Sequence, residues 1–387
     1  MIERAHALLS ASSAEKWLHC TPSARMEDDI PDSSGESAAE GTLAHELAEI
    51  KTKLYFKQIT KTEYNKALKK IKANELYAKD MDTYTDEHLE YIKDVEVILS
   101  GKPYVVVETT VDYSNYAPEG FGTVDCMMIC GNELHVVDFK YGIMVKVDAV
   151  NNPQLKLYAL GALNRYGMLY GIEKVAVHIV QPRIKNISSW ECTADELQKW
   201  ASDTVKPQAD NAFKGEGECI TGEWCDSHFC RARPKCRAYI GRMEAIKPYA
   251  GKDPKILTNA EIGQALTLAR DIKKWYSVLE NYAQRAILSG EDIEGWKVVE
   301  GRSNRAFDSI DDAFSQAIKA GVNEQMLYKR QPLTLTECEK MLGKKEFIDI
   351  FGSHIIKPPG KPTIVQKDDP REPFNPAARD FIELEDK

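Results

Sequence analysis

Apolar residues recur at helical spacing through roughly the first hundred positions and then give way to runs of β character. Leu43, Leu47, Ile50 and Leu54 predict a helix over 41–57. Further helices are expected over 12–20, capped by Ser12 or Ser13, and over 61–79 and 84–99. Residues 28–37 are acidic and rich in Ser and Gly, so they read as a loop. Val105, Val106, Val107 and Val111 then mark a strand, and 121–130 and 133–140 mark two more. A helix over 150–168, a strand over 174–181 and a helix over 194–212 follow. This order predicts an α/β core, a mixed sheet flanked by helices. Beyond it come one long helix or two over 258–289, a strand over 294–299 and helices near 309–318 and 335–350. A Pro- and charge-rich tail from about 357 lacks the apolar content to pack. The expected divisions are 1–245, a mainly helical extension over 246–356, and the tail 357–387.

The segment from Gly120 to Gly142 carries the most chemistry. Gly131-Asn132 between two β-rich runs is a two-residue hairpin signal. With that turn Cys130 opposes Glu133, and the same register brings Asp125 opposite Asp138. Side chains alternate with period two, so Asp125, Met127, Ile129, Leu134, Val136, Asp138 and Lys140 are expected on one face, with His135 on the other. Directly opposed Cβ atoms lie about 4.5–5.5 Å apart. Two carboxylates so placed repel each other unless a cation lies between them, and oxygen ligands of this kind suit Mg²⁺ or Mn²⁺. Lys140 could orient an attacking water or stabilise phosphoryl charge. A hairpin with solvated ends and a Lys140 salt bridge is the plainer reading of the same residues.

Cysteine usage adds a second candidate centre. Cys225, Cys230 and Cys236 fall in twelve residues set among Arg and Lys, which suits thiolate formation and metal binding. Zinc would need a fourth ligand, which His228 or Cys219 could supply; an iron–sulfur cluster would want a fourth cysteine. Cys126, Cys130, Cys192 and Cys338 read as core or surface residues.

Gly122 to Asp125 (G-x-x-D) followed by Asp138 to Lys140 (D-x-K) resembles the RecB-type nuclease pattern of the PD-(D/E)XK superfamily. Gly41-Thr-Leu-Ala-His45 resembles that family's upstream helix and histidine, and Gln154-Leu-Lys-Leu-Tyr158 resembles its Q-x-x-x-Y motif. The order along the chain is also the family's. The resemblance implies a restriction-endonuclease-like core and metal-dependent hydrolysis of DNA. It makes His45, Asp125, Asp138 and the backbone carbonyl of Phe139 the metal ligands, Lys140 the catalytic lysine, and Gln154 and Tyr158 the border of the active site with DNA. Glu108, on the preceding strand, could lie nearby. AddB-type nucleases and the iron–sulfur CRISPR-associated exonucleases have one cysteine ahead of the nuclease motifs and three behind. That pattern assigns Cys20, Cys225, Cys230 and Cys236 to a [4Fe–4S] cluster, with Zn²⁺ the alternative. The spacing Cys-x₄-Cys-x₅-Cys departs from the expected Cys-x₂-Cys at its first gap, which puts Cys225 in question. SASSAEKWLHC, GTLAHELAE and NNPQLKLYALGA also resemble an uncharacterised family common in bacteriophages and prophages. That likeness covers roughly residues 10–300 and implies a recombination, replication or repair exonuclease working beside a single-strand annealing protein or a helicase.

Charge and composition bound this reading. The 387 residues are 43% hydrophobic and 29% charged, ordinary for a globular chain. No apolar run approaches the roughly 20 residues of a membrane helix, and the N-terminus is a poor signal peptide, so a cytoplasmic location is expected. A net charge of -9 argues against a phosphate-binding surface overall. Acidic residues are dense near the N-terminus, however, while Arg231, Arg233, Lys235, Arg237 and Arg242 bunch into a basic run. There is no G-x-x-x-x-G-K-[ST] sequence and so no P-loop motor. Two other functions fit the same residues: a catalytically inactive nuclease-fold module that binds DNA, and a zinc-stabilised interaction protein in which the aspartate hairpin is incidental.

Overall fold

A computed structural model describes residues 7–28, 30, 35–249, 256–299, 309–320, 323, 327–328 and 334–355. The tail expected from 357 lies outside the described residues. The chain divides into two compact units, 1–299 and 300–387. The long helix falls within the first unit.

The first unit is a mixed α/β structure. Its five strands are β1 (Tyr104–Asp112), β2 (Phe121–Cys130), β3 (Glu133–Phe139), β4 (Lys174–Gln181) and β5 (Asn186–Thr193), side by side in that order. β3 and β4 run parallel and the other neighbours antiparallel. The parallel pair needs a crossover, which α6 (Pro153–Tyr170) supplies. Asn152 caps its first turn (Leu155 N–H to Oδ1, 3.2 Å), and Gly171, at φ +59°, ends it. Ten of its residues are buried.

Short helices α1 (Ala14–His19) and α2 (Ser23–Asp28) precede the long α3 (Glu36–Tyr55), α4 (Lys61–Lys72) and α5 (Asp80–Ile98). Thr60 and Glu63 form a reciprocal cap on α4. Leu43, Ala44, Leu47 and Ala48 of α3 pack with Phe139 and Tyr141, while Ile92 and Val95 of α5 pack with Cys126, Met128 and Val137. Met127, Ile129, Leu134 and Val136 pack with α6. The sheet is thus covered on both faces, which explains why β2 and β3 read as nearly continuous apolar runs.

After β5 come α7 (Ala194–Trp200), a π-helical turn (Ala201–Val205) and α8 (Lys206–Lys214), then the one-turn α9 (Trp224–Ser227), α10 (Arg237–Gly241) and the thirty-residue α11 (Asn259–Leu288). The second unit contains α12 (Ile310–Lys319), α13 (Leu335–Leu342) and α14 (Lys344–Phe351).

Three expectations need correction. Residues 294–299 form no strand. The helix of 12–20 is a 3₁₀ turn (Ala11–Ser13) running into α1; Ser13 makes no capping bond and instead donates to the Ser10 carbonyl at 3.1 Å. β5 was not anticipated, because Asn186-Ile-Ser-Ser-Trp-Glu-Cys-Thr193 is too polar to read as a strand. It is one of the two sheet edges, and its burial alternates as an edge strand's should.

Candidate functional site

The hairpin register is the expected one: Cys130 pairs with Glu133, and the ladder runs down to Cys126 and Val137. It stops there, one pair short of the aspartates. The Asp125 carboxylate takes over the ladder's role at this point, its Oδ2 accepting the Phe139 N–H at 2.7 Å. Its Oδ1 lies 3.1 Å from His45 Nδ1 on α3. Val124 and Cys126, two residues apart, enter different core clusters, so the alternation of β2 breaks at Asp125. The neighbouring strand breaks at the same level. Glu108, between the pairs Val107–Cys126 and Thr109–Val124, has φ +53°, a left-handed conformation costly for a residue with a Cβ.

Asp138 is buried (4% exposed). Its Oδ2 lies 2.9 Å from Lys140 Nζ but has no well-aligned hydrogen bond. Lys140 Nζ donates to Gln154 Oε1 at 3.0 Å, and Gln154 Nε2 lies 3.0 Å from the Tyr158 hydroxyl. His45, Asp125, Asp138, Lys140, Gln154 and Tyr158, which come from four separate stretches of chain, are therefore joined in two short chains of contacts. Tyr158 reaches this position because residue 122 is glycine: a Cβ there would stand 2.6 Å from Tyr158 Cε1.

Electrostatics separate the two aspartates. Burial alone would raise Asp125, but the charge and hydrogen bond of His45, with the Phe139 N–H, hold it below the usual carboxylate range. Asp138 is pushed up by burial and by the charge of Asp125, against the pull of Lys140. Burial would lower His45, yet Asp125 and then Asp138 raise it. The buried Asp138, with one poorly bonded oxygen, beside the half-buried Asp125 is a donor set that suits a hard divalent cation. Among the described residues, no three or more His, Cys, Asp or Glu side chains stand gathered into a set that could hold a metal ion.

The site has three further members. Glu49, four residues after His45, Glu108 and His88 of α5 line a small cavity with His45 and Asp125. Partial desolvation of the exposed Glu108 side chain, then the charges of Asp125 and Glu49, push it up to about 7. Burial pushes His88 down to about 4. Glu49 was legible in principle, since i and i+4 share a helix face; nothing in the sequence around His88 marked it. His135 lies away from the aspartates, its Nδ1 3.2 Å from Nε2 of the buried His178.

The cysteines are brought together as well. Cys20, Cys225, Cys230 and Cys236 line one cavity, and Cys219 stands near Cys20 and Cys236, its Sγ 3.5 Å from Met26 Sδ. Cys225, in question from its spacing, is among them. Burial raises Cys20 and Cys225, pushes Cys219 up to about 11 and pushes Cys230 up to about 12. The arginines are occupied elsewhere. Arg233 pairs with Asp226 at 2.8 Å, and Arg231 donates to the carbonyls of Ile30 and Glu27. The buried Glu27 in turn binds Lys16 Nζ at 2.7 Å and accepts the Arg231 N–H at 2.5 Å. The start of the chain is thus fastened to the cysteine segment by protein contacts alone.

His228 lines a different, larger cleft, with Ser10, Ser12, Lys16, Arg231 and Arg285. Burial lowers the pKa of the His228 imidazole.

Residues 6–372 match the profile of a family described as "Protein of unknown function (DUF2800)", and the chain belongs to that family. Among solved structures it matches one titled "Crystal structure of SSO0001" at 14% identity over 58% of this chain and 96% of that one, with a TM-score of 0.24, too low to argue from.

Proposed function

We propose that this member of the DUF2800 family is a metal-dependent deoxyribonuclease built on a PD-(D/E)XK core, acting as an exonuclease in phage or prophage DNA metabolism. One observation carries the reading. His45, Asp125, Asp138, Lys140, Gln154 and Tyr158 were singled out by motif order, and they lie within hydrogen-bonding distance of one another in two linked sets. A hairpin with solvated ends does not account for an Asp138 that is 4% exposed.

Asp125, Asp138, His45 and the Phe139 carbonyl would hold Mg²⁺ or Mn²⁺, which activates a water and neutralises charge on the scissile phosphate. The remaining steps belong to the chain's own groups. Asp125 is ionised at neutral pH and tied to the backbone by the Phe139 N–H, so its oxygens are fixed. Lys140, steered by Gln154, brings an ammonium to the position where phosphoryl charge develops. His45 would release Asp125, and Lys140 would release Asp138, for those carboxylates to hold the ion.

Cys20, Cys225, Cys230 and Cys236 would hold a [4Fe–4S] cluster, with Zn²⁺ the alternative and Cys219 a possible replacement ligand. Its role is structural, closing the domain from its first helix to α10.

The test is cleavage by the purified Asp125→Ala and Lys140→Ala variants. Loss of an ionic interaction worth several kcal/mol predicts a rate drop on the order of 10³-fold or more in each. Undiminished cleavage in both folded variants sinks the assignment.

A further inference from the structure

Residues 141–153 connect Lys140 to Gln154, and those two side chains meet at 3.0 Å. The segment is therefore a loop whose ends are clasped together beside Asp138. It carries no helix or strand before Pro153, so its backbone groups must find partners elsewhere. The end of β4 and the edge strand β5 supply them. Gln181, 1% exposed, donates to the carbonyls of Gly142 at 2.7 Å and Val145 at 2.9 Å, and accepts the Val147 N–H at 3.1 Å. Asn186 donates to the Val147 carbonyl at 2.7 Å, and Ser188 Oγ accepts the Ala149 N–H at 2.9 Å. The loop is thus braced from beneath. Its outer part is left in water: Ile143 is 53% and Met144 86% exposed, while Tyr141 and Ala149 are buried. Exposed apolar residues scattered singly need no explanation. An adjacent pair held out on a braced loop, with both loop ends in the site, does. By chain length Met144 lies within ~14 Å of Lys140, about the rise of four stacked base pairs.

We propose that Ile143 and Met144 form an apolar wedge that opens the terminal base pair of duplex DNA, so that one strand runs on to Lys140 and the aspartates. The inference rests on the nuclease reading and gives it a substrate class, the ends of duplex DNA. Isoleucine and methionine are side chains that insert between bases, at a cost in lost stacking. A loop tied down through Gln181, Asn186 and Ser188 does not yield when it meets that cost.

The experiment places 2-aminopurine, which fluoresces when unstacked, at the end of a blunt duplex and adds full-length protein with Ca²⁺. Native protein and the conservative Met144→Leu should brighten it. The double variant Ile143→Ser with Met144→Ser should not. Both side chains are exposed, so serine spares the fold, which circular dichroism verifies. With Mg²⁺ or Mn²⁺, the ratio of duplex to single-strand cleavage should fall on the order of tenfold or more in the double variant. An unchanged ratio overturns the wedge and leaves the nuclease reading standing. So does native protein that binds the duplex, read by anisotropy, without brightening it. Native protein that brightens the duplex end but cuts neither DNA overturns the nuclease reading and keeps the wedge. Native protein that neither binds nor cuts overturns both.

Discussion

The aspartate corner and the cysteine cavity are both gathered from distant parts of the chain, yet they differ in how far the protein completes them unaided. At the aspartates the side chains already contact one another: His45 with Asp125, Asp125 with the Phe139 N–H, Lys140 with Asp138 and Gln154, leaving Asp138 Oδ2 without a well-aligned hydrogen bond. An incoming ion would exchange partners in a site whose geometry the backbone has fixed. At the cysteines the scaffold is fastened through Lys16, Glu27 and Arg231, but burial raises the Cys20, Cys225 and Cys230 thiols above their usual range. A ligand there must first expel protons. One region is preorganised for chemistry, and the other is prepared for a structural ligand.

The largest expected effect separates the two by exchanging their phenotypes. Asp138→Ala should remove cleavage while leaving Tm the same or higher, because it relieves a buried carboxyl beside a like charge. Cys20→Ser should do the reverse. Ligand loading falls and Tm drops by about 2–6 °C for a loss of roughly 1–3 kcal/mol, while the folded fraction still cuts DNA. Iron, sulfide and zinc analysis beside calorimetry reads both. A Cys20→Ser protein with native metal content and native Tm breaks the comparison.

Acid sharpens it next. Burial holds His88 and His178 at about 4, against roughly 6.5 in the unfolded chain. Between these values the unfolded chain binds more protons, so stability falls as pH is lowered through about 6.5 to 4, by up to ~1.4 kcal/mol per pH unit for each histidine, and is unaffected above. Denaturant titrations in EDTA should show this slope reduced in His88→Leu. Cys20→Ser should leave it unchanged, since buried thiols are protonated throughout that range.

The smallest effect is at Gln154. Gln154→Ala frees Lys140 from its guide and should slow cleavage about tenfold, ~1.4 kcal/mol, with little change in Tm. A thousandfold loss would make Gln154 more than a positioning residue.

Much of the fold was legible because its signals were local. Helix spacing at Leu43, Leu47 and Ile50 gave α3, and Gly131-Asn132 fixed the hairpin register through Cys126–Val137. The aspartates themselves were less so. Opposed like charges are costly inside a ladder, and the strands resolve this by ending their pairing one step early. That is a tertiary outcome, settled by His45 and the Phe139 N–H. β5 was hidden because an edge strand needs only alternate burial. His88 was hidden because a lone histidine in the run Asp86-Glu-His88 looks like a solvated helix face until α5 turns it inward. The unusual conformation of Glu108 had no signal at all, since glutamate carries no preference for positive φ.

The most direct measurement is cleavage of end-labelled linear DNA against covalently closed circles, with Mn²⁺ or Mg²⁺ and with EDTA, beside Asp138→Ala. The account predicts metal-dependent loss of the linear DNA alone, absent in the variant. Anaerobically prepared, metal-replete native protein that leaves both DNAs intact would contradict it and favour a nuclease-fold module that binds DNA without cutting it.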